Sequence, residues 1–346
     1  MRSPLHVGLV AALSLLTLAH AAAAEDPVYP RVELEHNAMG TSFTAIVYGP
    51  TAASDPEALR GYALEAFEAI DALEAEISTW REGSATSRVN RLAATEAVQV
   101  PRSLMALLER AQAVWRDTDG VFDPTVGPLL AAWGKYAHTD REPTGEELSA
   151  ALAKVGFDKV QLDGSAGTVR FARTGMRLDF GGIGKGLALD RAAGILRARG
   201  VKSALLHGGT SSIVAVGAPP GRPGWEVHLG PFDDRYPRIE TVVLRDASLS
   251  SSSAYERPLE GREGKRSHIF DPRTGQPVAG VLGTSAIADT GMESDALSTA
   301  FFVLGREGTA TYCQTHPNVR AIVVVAEGDA PKAVRINFPP EKEEGP

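Results

Sequence analysis

Four glycines, Gly181, Gly182, Gly184 and Gly186, fall within six positions of the stretch MRLDFGGIGKGLALDRAAGILRARG, Met176 to Gly200. Such a run admits positive φ and lets backbone N–H groups come right against a ligand. Before it, Arg177, Leu178, Asp179 and Phe180 alternate like the end of a strand. After it, Leu187, Ala188, Ala192, Ile195 and Leu196 recur at helical spacing, and Gly200 stands at a C-cap position. A helix N-terminus behind a glycine loop is an anion site, because its first amides are unpaired and its dipole favours negative charge. The stretch is not a Walker A loop: Asp179 sits where the first glycine belongs and Gly186 where Ser or Thr belongs. Nor does it match the dinucleotide fingerprint, whose glycines are spaced differently. It reads as a phosphate-ligand loop, with a close helix–sheet packing turn as the competing reading.

The 346 residues carry a formal charge of −8 and no long basic run, which removes the electrostatic footprint of a nucleic-acid binder. Hydrophobic content of 43% suits a soluble globular protein. Arg2 and His6 precede an apolar run from Val7 to Ala19 and the small residues AHAAAAEDP. That is the layout of a Sec signal peptide over residues 1–24, cut after Ala24 or kept as an anchor, and the run is too short for a comfortable membrane span. The expected location is periplasmic, the protein soluble or weakly membrane-associated. Cys313 is the one cysteine, so disulfides within the chain are excluded, and a core thiol is expected.

Strands are expected at Val32–Leu34 and Met39–Tyr48. A helix should open on Asp55 and Pro56 and run past Ile77, a polar loop cover 78–90, and a second helix span 103–118. Thr144 with Glu147 forms a capping-box pair, and a hairpin is expected from KVQLD to TVRFAR. Strands follow at 204–207, 213–216, 225–229 and 239–244, then an exposed serine-rich loop over 247–266. A strand at 284–288, a helix opening near Ser294 and closing strands at 320–326 and 333–337 complete the pattern. With no repeat and no long linker, one mixed α+β domain over 25–340 is favoured over two lobes, with 341–346 a disordered tail.

In SDALSTA, Asp295 and Thr299 lie four apart and share a helix face. Hard oxygens so placed suit Mg²⁺, although an N-cap with a back-bonded threonine gives the same pattern. His268 stands three residues before Asp271 in HIFDP: a proton-moving pair or a plain turn. Asp123 in FDPTVG has the same two readings, and Trp80 and Phe122 offer stacking faces or core.

In order and spacing, MGTSF, STW…SATSRVN, GVFDPTVGPL…WG, LDFGGIGKGLALD, HGGTSSIVAVG, SHIFDPRTGQPV and SDALSTA resemble the FAD:protein FMN transferases of the ApbE family, from about Glu33 to Ala326. The resemblance implies a single ApbE-type (T-fold-like) domain with mixed sheets flanked by helices. It implies an exported enzyme that binds FAD and Mg²⁺, moves FMN onto a threonine or serine hydroxyl of an acceptor flavoprotein, and releases AMP. Mg²⁺ would be held by Gly184, Asp295 and Thr299. FAD would lie along Met39, Trp80, Val121, Phe122 and Asp123, with Lys185, Gly186 and Leu187 at the phosphates and His268 and Ile269 nearby. His268 is the expected base, ahead of Asp271. The family's Asn-Leu-Gly-Gly-Asp reads Leu206-His207-Gly208-Gly209-Thr210 here, Ala85 replaces a frequent acidic residue, and Gly184 stands where relatives usually have alanine. An FAD pyrophosphatase and a non-catalytic flavin-binding protein are the alternatives.

Overall fold

The computed structural model describes residues 29–339, apart from 138, 140, 231–238, 255–258, 262–263 and 328–329. The leader at 1–24 and the tail at 341–346 lie outside the described residues. The chain opens with β1 (Arg31–Ala38), β2 (Thr41–Tyr48), α1 (Pro56–Ile77), α2 (Ala85–Leu92), β3 (Val98–Gln99) and α3 (Arg102–Asp117). Then come α4 (Gly127–Ala132), α5 (Gly145–Leu152), β4 (Val160–Asp163), β5 (Thr168–Phe171) and α6 (Gly184–Ala198). β6 (Ala204–Gly208), β7 (Ser212–Val216), β8 (Trp225–Leu229), β9 (Glu240–Leu244) and β10 (Ser248–Ser253) follow. β11 (Leu259–Gly261), β12 (Gly264–Arg266), β13 (Val281–Ala288), α7 (Gly291–Thr315), β14 (Arg320–Glu327) and β15 (Ala330–Ile336) close the fold.

One antiparallel sheet organises the molecule, in the order β1-β2-β6-β7-β10-β13-β14-β15. Side chains alternate across it. Ala45, Val47, Leu206, Val214 and Val216 join the main core with α1 and α6. Ile46, Leu205, Ile213, Ala215 and Leu249 face the other way, against Trp225, Val227, Val242 and Leu244 of the β8–β9 hairpin. The α+β reading holds, with α1, α6 and α7 layered on the first face. Asp55 caps α1 through the Glu57 amide and Pro56 occupies the first turn, as the sequence predicts. The α1 face Leu59, Phe67, Ile70, Leu73 and Ile77 is buried, each side chain stabilising by about 1.5–3 kcal/mol. The Thr144–Glu147 capping box is also present.

Several expectations are corrected. Met39 and Gly40 take φ of 51° and 72° and make the turn between β1 and β2 instead of extending a strand. Residues 78–90 are not all loop: Ser84 accepts from the Ser87 amide and starts α2. Arg177 to Phe180 form no strand, only one bridge from Arg177 to Val126. The Asn90 side chain takes the place of a neighbouring strand, binding both the N–H and the C=O of Leu178. The expected exposed loop over 247–266 contains β10, an inner strand paired to β7 and β13. Its hydroxyls are matched inside the protein: Ser248 and Ser250 meet Ser294 at 2.7 and 3.0 Å, and Ser252 meets Ser298 at 3.0 Å. Finally, α7 is capped by Thr290, not Ser294, and runs on through a break at Gly305 (φ 64°) to include Cys313.

Candidate active site

The glycine loop and the start of α7 meet at one point. A Cβ built on Gly186 would fall 1.9 Å from the Gly291 carbonyl oxygen, so only glycine lets α6 approach α7 this closely. The contact is fixed from both sides. Asp190 on α6 accepts from the amides of Gly291 and Met292 at 2.6 and 2.8 Å, capping α7. In return, Asp295 on α7 accepts from the Gly186 amide at 2.9 Å, one of the first amides of α6. Burial pushes the Asp190 carboxyl above its ordinary range, against the pull of those two amides.

Asp295 is 4% exposed. Among the described residues its second oxygen meets the Ser212 hydroxyl at 3.3 Å and the Lys185 ammonium at 3.9 Å and no closer group. One turn on, the Thr299 hydroxyl makes only a long 3.5 Å bond to the Asp295 carbonyl. Gly182 lies over it: a Cβ there would stand 3.2 Å from Thr299 Oγ1 and 3.6 Å from the Phe122 ring. A buried carboxylate with half its capacity weakly engaged, beside an under-used hydroxyl, fits a hard cation that takes oxygen ligands. Gly184 is buried in the same first turn of α6. Among the described residues no group of three His, Cys, Asp or Glu side chains gathers, so a cation here would rely on carbonyl and hydroxyl oxygens beside one carboxylate.

The remaining predicted residues divide. Lys185, Gly186 and Leu187 form the first turn of α6. Val121 and Phe122 both lie in the main core, Phe122 packing beside Gly182, so of the two aromatic candidates only Trp80 is exposed. Met39 sits half-buried in its turn against the main core. Trp80 is 63% exposed and lies edge-on to Tyr136, ring centroids 5.5 Å apart. Asp123 is turned into its own loop: it accepts from the Thr125 amide and hydroxyl and from the Phe157 amide, and burial raises its carboxyl. Asp271 also serves a turn. Burial pushes its carboxyl up, but the Arg273 side chain and backbone N–H overcome this and hold it below the usual range. A lowered carboxylate already bound to a guanidinium is a poor proton acceptor. His268 is half-buried ahead of Ile269, which packs with Val281, Phe302 and Val323. Trp133 docks the following turn onto α4 by packing at a tilt on Phe270, ring centroids 5.2 Å apart, and donating to the Gly275 carbonyl at 2.9 Å.

Asp190, Ser212 and Tyr136 are parts of this site that sequence reasoning did not single out. Their partners lie 101, 83 and 43 residues away, and no local spacing announces such pairs. At the family's usual carboxylate position, Thr210 is exposed in the turn between β6 and β7. Burial lowers the affinity of His207 for its proton.

Fold and site define an α+β enzyme in which two helices, backed by one antiparallel sheet, bring a glycine loop, a lysine and a buried carboxylate to one point. The chain belongs to the ApbE family, whose sequence model matches residues 39–323. It is similar to the FAD:protein FMN transferase of Treponema pallidum (strain Nichols), with 34% identity over 312 residues, 86% of this chain and 84% of that one. Among solved structures it is similar to the ApbE protein of Thermotoga maritima MSB8, with a TM-score of 0.78 and 30% identity over 88% of this chain and 96% of that one. It is also similar to the apo flavinyl transferase ApbE of Pseudomonas stutzeri, with a TM-score of 0.77 and 27% identity over 89% and 95%.

Proposed function

We propose that this protein transfers FMN from FAD to a threonine or serine hydroxyl of an acceptor flavoprotein in the periplasm, with Mg²⁺, releasing AMP. The observation that carries the reading is the Asp295 carboxylate, buried on α7, bound to the first turn of α6 and flanked by Lys185. In the reaction an acceptor Oγ–phosphorus bond forms, the bond from phosphorus to the AMP oxygen breaks, and the hydroxyl proton leaves. Gly184, Asp295 and Thr299 would hold the metal, which when bound supplies charge neutralisation at the diphosphate.

The protein's own groups do the rest. Lys185 brings a second positive charge to the phosphates, and the α6 N-terminus adds its dipole. Trp80, 63% exposed, offers a face for a planar ring of the dinucleotide, while Phe122 lies in the core. His268 takes the hydroxyl proton, since Asp271 is occupied by Arg273. The N-terminal leader directs export, and the secreted protein should begin at Glu25 when its mass is measured.

The test combines mature protein, FAD, Mg²⁺ and a candidate acceptor domain, with mass spectrometry of the acceptor and an AMP assay. Acceptor gaining one FMN with AMP released is the expected result. Free FMN and AMP with unmodified acceptor would make the protein an FAD pyrophosphatase. Bound, unchanged FAD would make it a storage protein.

A further inference from the structure

Outside the metal-binding groups, one carboxylate ties together three segments that the sequence keeps far apart. Asp179 Oδ1 accepts from the Gly181 amide at 2.8 Å, fixing the entry of the glycine loop. Its Oδ2 accepts from the Tyr136 hydroxyl at 2.9 Å and, more weakly, from the Thr79 hydroxyl at 3.5 Å. Tyr136 is itself held in place, with the Arg177 guanidinium 3.7 Å above its ring and Trp80 against its edge. Thr79 is the chain neighbour of Trp80. The loop before α2, the turn after α4 and the glycine loop therefore share one anchor, and Gly182 beyond it bears on Thr299 and Phe122.

We propose that Tyr136 is a positioning residue: its hydroxyl, through Asp179, latches the glycine loop and the exposed Trp80 into one preformed surface for the dinucleotide. The inference rests on the FAD reading above and deepens it. A hydrogen bond to a charged acceptor is among the stronger ones, and here its loss would uncouple Asp179, which holds the loop entry, from the ring that packs on Trp80. A preformed surface removes an ordering cost that FAD binding would otherwise bear.

Tyr136→Phe keeps the ring, the guanidinium stack and the Trp80 contact and removes only the hydroxyl. Binding of FAD alone, without acceptor, followed by flavin fluorescence, is expected to weaken about tenfold. In the full assay KM for FAD should rise by a similar factor while kcat falls less than about threefold. Amide exchange at 181–183 should speed up in the variant. Thr79→Val, which removes the longer bond, should show a smaller loss of the same kind. A Tyr136→Phe protein that melts lower yet binds FAD as the wild type does would reduce Tyr136 to a structural residue and overturn the proposal. Failure of the wild type itself to bind FAD would instead overturn the functional reading on which it rests. Should Tyr136→Phe not fold, equal FAD affinity of Thr79→Val and wild type, with unchanged exchange at 181–183, would also overturn it.

Discussion

A carboxylate that is 4% exposed needs partners, and Asp295 has one good amide, one long hydroxyl contact and an ammonium at 3.9 Å. Mg²⁺ should therefore raise the melting temperature of the wild type and not that of Asp295→Ala, which should also lose turnover while its circular dichroism stays native. Leaving the Gly186 amide without its acceptor is expected to cost about 1–3 kcal/mol of stability. Full turnover in that variant would dismiss the metal assignment. His268→Ala should lower kcat far more than FAD affinity, and a loss confined to affinity would make it a ligand contact instead of the base. At this scale the sequence made Asp295 and Thr299 legible, since a four-residue step on a helix puts both on one face. The resemblance already put His268 ahead of Asp271 as the base; what the sequence did not show is the Arg273 side chain, which folds back onto Asp271 at 2.8 Å.

Among the elements, β10 is the one most at odds with its composition. A run of serines reads as exposed loop, yet Ser248 and Ser250 are fully buried against Ser294 on α7. Ser294→Ala should destabilise by about 1–3 kcal/mol, because it strips the partner from a buried hydroxyl. Adding Ser250→Ala to that variant should cost less than Ser250→Ala does in the wild type, as measured by urea denaturation, because neighbours in one network are not additive. Simple additivity would mean that the seam contributes packing alone. Where local rules governed, the reading was sound: the Asp55 cap, the Thr144–Glu147 box and the α6 period all appear in the fold. Arg177 to Phe180 misled because alternation marks a strand only when a neighbouring strand supplies the hydrogen bonds, and here Asn90 does so from α2.

Across the whole molecule, Cys313 reports on the integrity of the helix layer. It is buried near the end of α7, and burial pushes its thiol up to about 11. The native thiolate at pH 8 is then roughly a thousandth of the total, against about a quarter in an unfolded chain. Alkylation at pH 8 should be at least about a hundredfold slower in buffer than in denaturant, and comparable rates would mean that the C-terminal part of α7 opens readily. The sign of the pH effect follows. The unfolded thiol ionises first as pH rises, so this contribution is intact below its ordinary value and is lost as pH climbs through the folded one. Local chemistry written in neighbouring residues, the caps, helical periods, glycine loop and ordered motifs, was determined by the sequence alone and led to the family. Which carboxylate joins two helices and which closes a turn, and that a serine run lies inside, were decided only in three dimensions. Those outcomes depend on partners dozens of residues away, which only the packing of α6 and α7 on the sheet brings within hydrogen-bonding reach.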